Sequence, residues 1–170
     1  MDQPQIRYTK TGDGVSIAYF AIGSGRTLVY MPPMPTTHVE LEWQVEDLRR
    51  GAEGAARAGR FVRYDGRGFA LSDRNARDFS VDAMVRDLEA VVDAVGLESF
   101  ALMAFQHMAM PALAYASRHP ERVRALILPL GYARWEPTGA GPDRIHTTLG
   151  LARTDWGMCK EFFAQSIGFD

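Results

Sequence analysis

Gly96-Leu-Glu-Ser-Phe100-Ala-Leu-Met-Ala-Phe105-Gln106-His107-Met108-Ala-Met-Pro111-Ala-Leu-Ala-Tyr115-Ala-Ser-Arg-His119-Pro120-Glu-Arg-Val123 is the stretch whose reading decides the fold. The continuous apolar run from Phe100 to Phe105 predicts a buried strand, and the Ala- and Leu-rich run from about Met108 to Ser117 predicts a buried helix. Only Gln106 and His107 separate them. That is a strand, a one-step turn and a helix.

Working outward, Ser80 reads as the N-cap of a helix with Asp82 in its first turn. Val81, Met84, Val85, Leu88, Val91, Val92 and Val95 share one face of it, and Gly96 ends it. Its acidic residues Asp87, Glu89 and Asp93 are expected to face water. Downstream, Val123 to Pro129 predicts another buried strand. Upstream, Arg60 to Tyr64 and Thr27 to Met31 are strand-like runs. Between them a helix is expected from about Leu41 to Ala58, with Trp43, Val45, Leu48, Ala52, Ala55 and Ala56 as its buried stripe and Gly59 as its stop. Ile6 to Lys10 and Val15 to Ile22 flank Thr11-Gly12-Asp13-Gly14, a hairpin signal. Beyond that antiparallel edge, strands alternate with helices, the pattern of a doubly wound, mostly parallel α/β sheet.

Two of these stretches resemble one family. The strand, turn and helix of residues 100–123 are similar to the nucleophile elbow of the α/β hydrolases, a Gly-x-Ser-x-Gly motif on a strained strand-to-helix turn. Asp65-Gly66-Arg67-Gly68-Phe69-Ala70-Leu71-Ser72-Asp73 resembles that family's Asp-x-Arg-Gly-x-Gly-x-Ser-Asp loop, with Ala70 in place of a glycine. Within that loop, Asp65, Arg67 and Asp73 read as structural. Counting from Phe100 and from His119-Pro120 places the family's serine at Gln106. An amide has no ionisable hydroxyl or thiol and forms no acyl-enzyme. The resemblance therefore implies a hydrolase scaffold without its nucleophile. The flanking glycines fall on Ala104 and Met108, so the elbow is expected to have relaxed from its strained dihedrals.

No residue receives a catalytic assignment. His107 would need a one-residue slip that both counts oppose, Ser72 lies in the wrong loop, and the single cysteine, Cys159, reads as a packing thiol. The resemblance also marks Met34 and His107 as carriers of oxyanion-like backbone N–H groups. The Met34 loop, Pro32-Pro33-Met34-Pro35-Thr36-Thr37-His38, is either half of an oxyanion hole or a stiff pocket wall. Met31, Met34, Phe105, Gln106 and Met108 are the expected lining of a pocket for a small apolar ligand. His38, Glu40 and Glu42 have metal-binding side chains, but their spacing is too weak a pattern for a site, and no metal or cofactor is expected.

With 170 residues, 46% of them apolar, the chain is sized for one core. A net charge of −2 leaves no electrostatic footprint for nucleic acid or an anionic membrane. The span 100–116 is interrupted by Gln106, His107 and Pro111, so it reads as core, and a cytoplasmic location is expected. A hydrolase-like core is expected over 1–133, followed over 134–170 by a Gly- and Pro-rich linker and the start of a helical cap. Two short helices are expected in 144–170, with Trp156, Met158, Phe162, Phe163 and Ile167 as their apolar face. The strands that would deliver the family's acid and histidine are not found, and His146 with Glu136 makes no triad. The expected fold is thus truncated before its last strands.

Met31-Pro32-Pro33, Leu41-Glu42-Trp43-Gln44 and Arg63-Tyr64-Asp65-Gly66-Arg67-Gly68 are similar to the hydrolase-like N-terminal regions of some bacterial adenylate/guanylate cyclases and helix-turn-helix transcriptional regulators. That resemblance implies a ligand-sensing or regulatory module, with a downstream output domain or a partner chain. The alternative is an esterase-like α/β hydrolase with an atypical or partner-completed active site.

Overall fold

The computed structural model describes residues 1–31, 34–131, 150, 153–155 and 157–158. The chain divides into two compact units, residues 1–134 and 135–170. The linker and cap helices expected over 134–170 lie almost wholly outside the described residues, as do Pro32 and Pro33.

In the first unit one six-stranded sheet has the order β1-β2-β4-β3-β5-β6. The strands are β1 (Arg7–Lys10), β2 (Ser16–Gly23), β3 (Thr27–Met31), β4 (Arg60–Tyr64), β5 (Phe100–Ala104) and β6 (Val123–Ile127). β2 pairs antiparallel with β1 and β4, while β3 is parallel to β4 and β5, and β6 is parallel to β5. Helices α1 (Glu46–Ala58), α2 (Val81–Ala94) and α3 (Ala109–Arg118) connect the parallel strands. This is the doubly wound, mostly parallel α/β architecture that the alternation predicts.

Successive side chains of a strand point to opposite faces, so the sheet sorts its residues by parity. Val29, Met31, Val62, Tyr64, Phe100, Leu102 and Ala104 enter the main core with Leu88 and Val92 of α2 and Ala112 and Tyr115 of α3. Each large apolar side chain buried there contributes roughly 1.5–3 kcal/mol. Leu28, Tyr30 and Phe61 point the other way and join Phe20 and Val39 against Ala52 and Ala55 of α1.

The secondary structure and its burial depart from the sequence reading at the start of α1, at β6 and at Asp87. The helix after β3 does not run unbroken from Leu41: a 3-10 turn, Glu42–Gln44, precedes α1, and extended Val45 separates them. The break turns Val45 and Leu48 outward, 50% and 53% exposed, while Trp43 stays buried. Among the described residues β6 is the last strand of the sheet and is not buried, with Ile127 43% exposed. Asp87 does not face water.

Asp87 is 2% exposed because Arg67, itself 1% exposed, draws it inward. Arg67 donates through Nε to Asp87 Oδ1 at 2.9 Å and through its backbone N–H to Oδ2 at 3.1 Å. The far end of the guanidinium donates to both oxygens of Asp13, at 2.8 and 3.1 Å. Asp13 sits in the β1–β2 turn, so one side chain ties hairpin, post-β4 loop and α2 together. These hydrogen bonds from Arg67 hold the Asp13 carboxyl far below the usual carboxylate range.

Removing one partner of a buried pair leaves an uncompensated charge. Arg67→Met is therefore expected to lower the unfolding free energy by about 3–5 kcal/mol, read by urea denaturation at pH 7. Because the folded pKa of Asp13 is depressed, its contribution is complete above the ordinary carboxylate range and falls away in stronger acid. The wild type should accordingly lose its advantage over Asp13→Asn as the pH drops below about 4.

Candidate functional site: an elbow with glutamine at its apex

β5 ends at Ala104, Phe105 continues extended with φ −94° and ψ 142°, and Gln106 then enters the left-handed region at φ 49°. A 3-10 turn, Gln106–Met108, leads directly into α3. Met108 N–H donates to the Phe105 carbonyl at 3.0 Å, and Gln106 N–H donates to the Pro129 carbonyl, beyond β6, at 3.2 Å. The apex is thus tied to the neighbouring strand's exit, and its amide side chain is exposed.

The expectation that this elbow had relaxed is overturned. Its strain resides in the apex residue alone: Met108 has ordinary helical dihedrals, φ −69° and ψ −9°. Ala104 and Met108 are buried at 0% and 2% exposure, so these flanking positions demand packing and no unusual backbone. Ala70 is likewise left-handed, at φ 45°, where the resembling loop has glycine.

His107 is half-buried beside the apex, and desolvation pushes its pKa below the ordinary value. Met34 is 9% exposed in the loop after β3 and lies over Gly66, where an added Cβ would stand 2.6 Å from its Sδ. That loop is fastened by Asp65, which accepts from Thr37 Oγ1 at 2.7 Å, Val39 N–H at 3.0 Å and Leu71 N–H at 3.2 Å. Ser72 Oγ donates to the Asp65 carbonyl at 2.7 Å and accepts from Ala18 N–H, which is structural work.

The five residues expected around a pocket lie in different surroundings among the described residues. Met31, Met34 and Met108 are packed in the main core, and Gln106 stands exposed at the apex. Phe105 borders a cavity of about 260 Å³ on the α1 face. Strand parity is the reason: Met31 faces α2 and α3, and its neighbour Tyr30 forms the cavity wall with Phe61, Met103 and Trp43.

Arg63 and Glu42 meet at this cavity as an ion pair that the sequence reading missed. Arg63, 3% exposed, also donates to the Tyr64 carbonyl at 2.6 Å and lies 4.8 Å from the Tyr30 ring centroid. A charged residue inside Phe61-Val62-Arg63-Tyr64 was the available signal, since a strand buried on both faces admits a cation only with a partner. His38 does not converge with Glu42 on a metal. Its Nδ1 accepts from Leu41 N–H at 3.2 Å, and no cluster of three or more His, Cys, Asp or Glu among the described residues is arranged to hold one.

A family model described as alpha/beta hydrolase fold matches residues 47–137, which include both the post-β4 loop and the elbow. The chain belongs to the α/β hydrolase fold family. Among curated relatives of this family, the AB hydrolase superfamily protein YisY of Bacillus subtilis is 31% identical over 112 residues, 66% of this chain and 40% of that protein. Epoxide hydrolase 1 of Caenorhabditis elegans is 28% identical over 109 residues, 63% of this chain and 25% of that protein. The chain therefore spans less than half the length of either. Among solved α/β-hydrolase structures, a thermophilic esterase from Thermogutta terrifontis has a TM-score of 0.73 at 22% identity, covering 92% of this chain and 57% of its own. An epoxide hydrolase from Bacillus megaterium has a TM-score of 0.64 at 22% identity, covering 88% and 46%. Among the described residues, no helix is long and apolar enough to cross a membrane.

Two measurements probe the elbow. Gln106→Gly is expected to raise stability by about 1 kcal/mol and Gln106→Val to lower it by about 1–2 kcal/mol in urea, because left-handed φ is strained for all but glycine and worst for β-branched residues. Burial of His107 depresses its folded pKa, so the folded state resists protonation as the pH falls through the ordinary value near 6.5. Wild type should lose stability relative to His107→Gln between pH 7.5 and 5.5, with the difference between the two constant above pH 7.5.

Proposed function

We propose that this chain is a hydrolase-fold domain that holds a small apolar molecule without cleaving it, a sensing or regulatory module of a signalling protein. The observation that carries the reading is Gln106 at the apex, φ 49°, in the place from which a family nucleophile attacks. Its carboxamide has no proton that a neighbouring histidine could remove to generate a nucleophile, and it forms no ester with substrate. His107 lies next to it in sequence, but a base without a nucleophile performs no acyl transfer. In this reading Met34 and His107 keep their backbone N–H groups as hydrogen-bond donors for a bound carbonyl, with no catalytic outcome.

The similarity of Met31-Pro32-Pro33, Leu41-Glu42-Trp43-Gln44 and Arg63 to Gly68 to the hydrolase-like regions of bacterial cyclases and helix-turn-helix regulators supports a regulatory setting. An output domain or partner chain then reads the state of this domain. The domain itself makes no nucleic-acid contact, enters no membrane and works in the cytoplasm.

One observation favours the second reading, an esterase-like hydrolase completed atypically or by a partner chain: the apex has the strained geometry that clusters at active sites. A fluorophosphonate probe separates the two. The full chain is expected to remain unlabelled after denaturing electrophoresis, under conditions that label a serine esterase completely. A covalent adduct on any serine, located by peptide mass spectrometry, restores the hydrolase reading.

A further inference from the structure

We infer that Asp65 is a positioning residue that makes the loop after β3 and the loop after β4 move as one, so that a displacement of the Met34 loop is passed to Arg67 and through it to α2. The inference goes beyond the proposed function and does not depend on it, since it concerns the top of the sheet whether a bound molecule is cleaved or only held.

Asp65 directly follows β4 and is 0% exposed. Its two carboxylate oxygens serve different loops. Oδ1 accepts from Thr37 Oγ1 at 2.7 Å and from Val39 N–H at 3.0 Å, both in the segment after β3, while Oδ2 accepts from Leu71 N–H at 3.2 Å. A carboxylate is a rigid plane with acceptors only, so neither loop can shift its donors without dragging the acceptor of the other or breaking a buried hydrogen bond. The backbone of Asp65 is fixed separately. Its N–H donates to the Ala18 carbonyl of β2 at 2.9 Å, and its carbonyl accepts from Ser72 Oγ at 2.7 Å. With the main chain pinned to β2, the side chain is what remains to link the two loops.

A second contact joins the same loops at a different point. Met34 lies over Gly66, where an added Cβ would stand 2.6 Å from its Sδ, so the absence of a side chain there is what lets the loops close on each other. The next residue is Arg67, whose backbone N–H donates to Asp87 Oδ2 of α2 at 3.1 Å. At the other end of the loop, Leu71 follows left-handed Ala70, φ 45°, a strained dihedral that persists only while its surroundings hold it. The Oδ2 bond to Leu71 is one of those restraints. Coupling of this kind runs through a contiguous hydrogen-bond network, from Thr37 to Asp65 to the 66–73 loop and on to Asp87.

Because a change at Asp65 itself would strip a fully buried group from the fold, the test perturbs its donors. Native-state amide hydrogen exchange of the full chain, followed by NMR, reads the link one residue at a time. Thr37→Val removes the hydroxyl and keeps the shape. It is expected to speed exchange at Val39 and Leu71 N–H at least tenfold and at Arg67 N–H several-fold, with Leu102 N–H in β5 within twofold of wild type. Thr37→Ser, which keeps the hydroxyl, should leave Leu71 and Arg67 at wild-type rates. Ser72→Ala perturbs the other loop, and reciprocity requires that it speed Val39 N–H as well. Acceleration confined to Val39 in Thr37→Val means that the loops open independently and overturns the inference. So does an equal acceleration at Leu102, which is general loss of stability, and so does a Thr37→Ser variant as loose at Leu71 as Thr37→Val, which assigns the effect to packing of the methyl group.

Discussion

Arg67 carries a full positive charge with almost no access to water, and three segments of the chain converge on it. Desolvating such a group costs several kcal/mol, which only carboxylates in good geometry offset. Asp87 and Asp13 supply that geometry from opposite sides, engaging Nε, Nη1 and Nη2 of one planar fork. Arg86 adds a second cation to the same Asp13 at 3.2 Å and reaches Asp78 at 3.0 Å. The β1–β2 turn, the loop after β4 and helix α2 are thereby fixed in mutual register by electrostatics, while the sheet beneath them is fixed by apolar parity. Gly68, at φ 80°, keeps the loop tight enough for this: a Cβ there would lie 2.6 Å from the Phe79 ring.

Strand parity then divides the molecule's chemistry. The face toward α2 and α3 is packed against apolar side chains, and it absorbs Met31, Met34 and Met108. The face toward α1 is only partly covered, because α1 packs over β2 and β4 and leaves the β3 and β5 side of the same face to the cavity. The elbow lies where the two regimes meet: Ala104 and Met108 are anchored in the closed core, Phe105 borders the open cavity, and Gln106 stands between them at the top.

Much of this was legible in the sequence, for reasons that differ element by element. α2 was readable because its apolar face repeats at helical spacing and Ser80 caps it, its hydroxyl accepting from Ala83 N–H. The strands were readable because short apolar runs sat between turn signals, and the elbow because a strand and a helix were separated by two residues. Asp87 was not legible as buried: its partner Arg67 is twenty positions away, and nothing local reports a contact closed through the fold. The 3-10 break before α1 was hidden because Trp43, Val45 and Leu48 satisfy a helical period whether or not the backbone is continuous. The cavity was missed because residue type alone pointed to methionines, whereas alternation along β3 assigns Met31 and Tyr30 to opposite faces.

The elbow shows that backbone geometry and side-chain chemistry are separable. A left-handed non-glycine residue costs about 1–3 kcal/mol, a sizeable share of the 5–15 kcal/mol that holds a domain together. That cost is borne here by a glutamine, and the packing on either side of it maintains the dihedral. Met108 and Ala109 must enter the core immediately after β5 has delivered Ala104 into it, and the apex N–H is held by the Pro129 carbonyl. A chain with so few residues between a buried strand and a buried helix has one way to turn, and it passes through φ 49° at Gln106. Packing on either side of the apex thus enforces the left-handed turn at residue 106 independently of the side chain that occupies it.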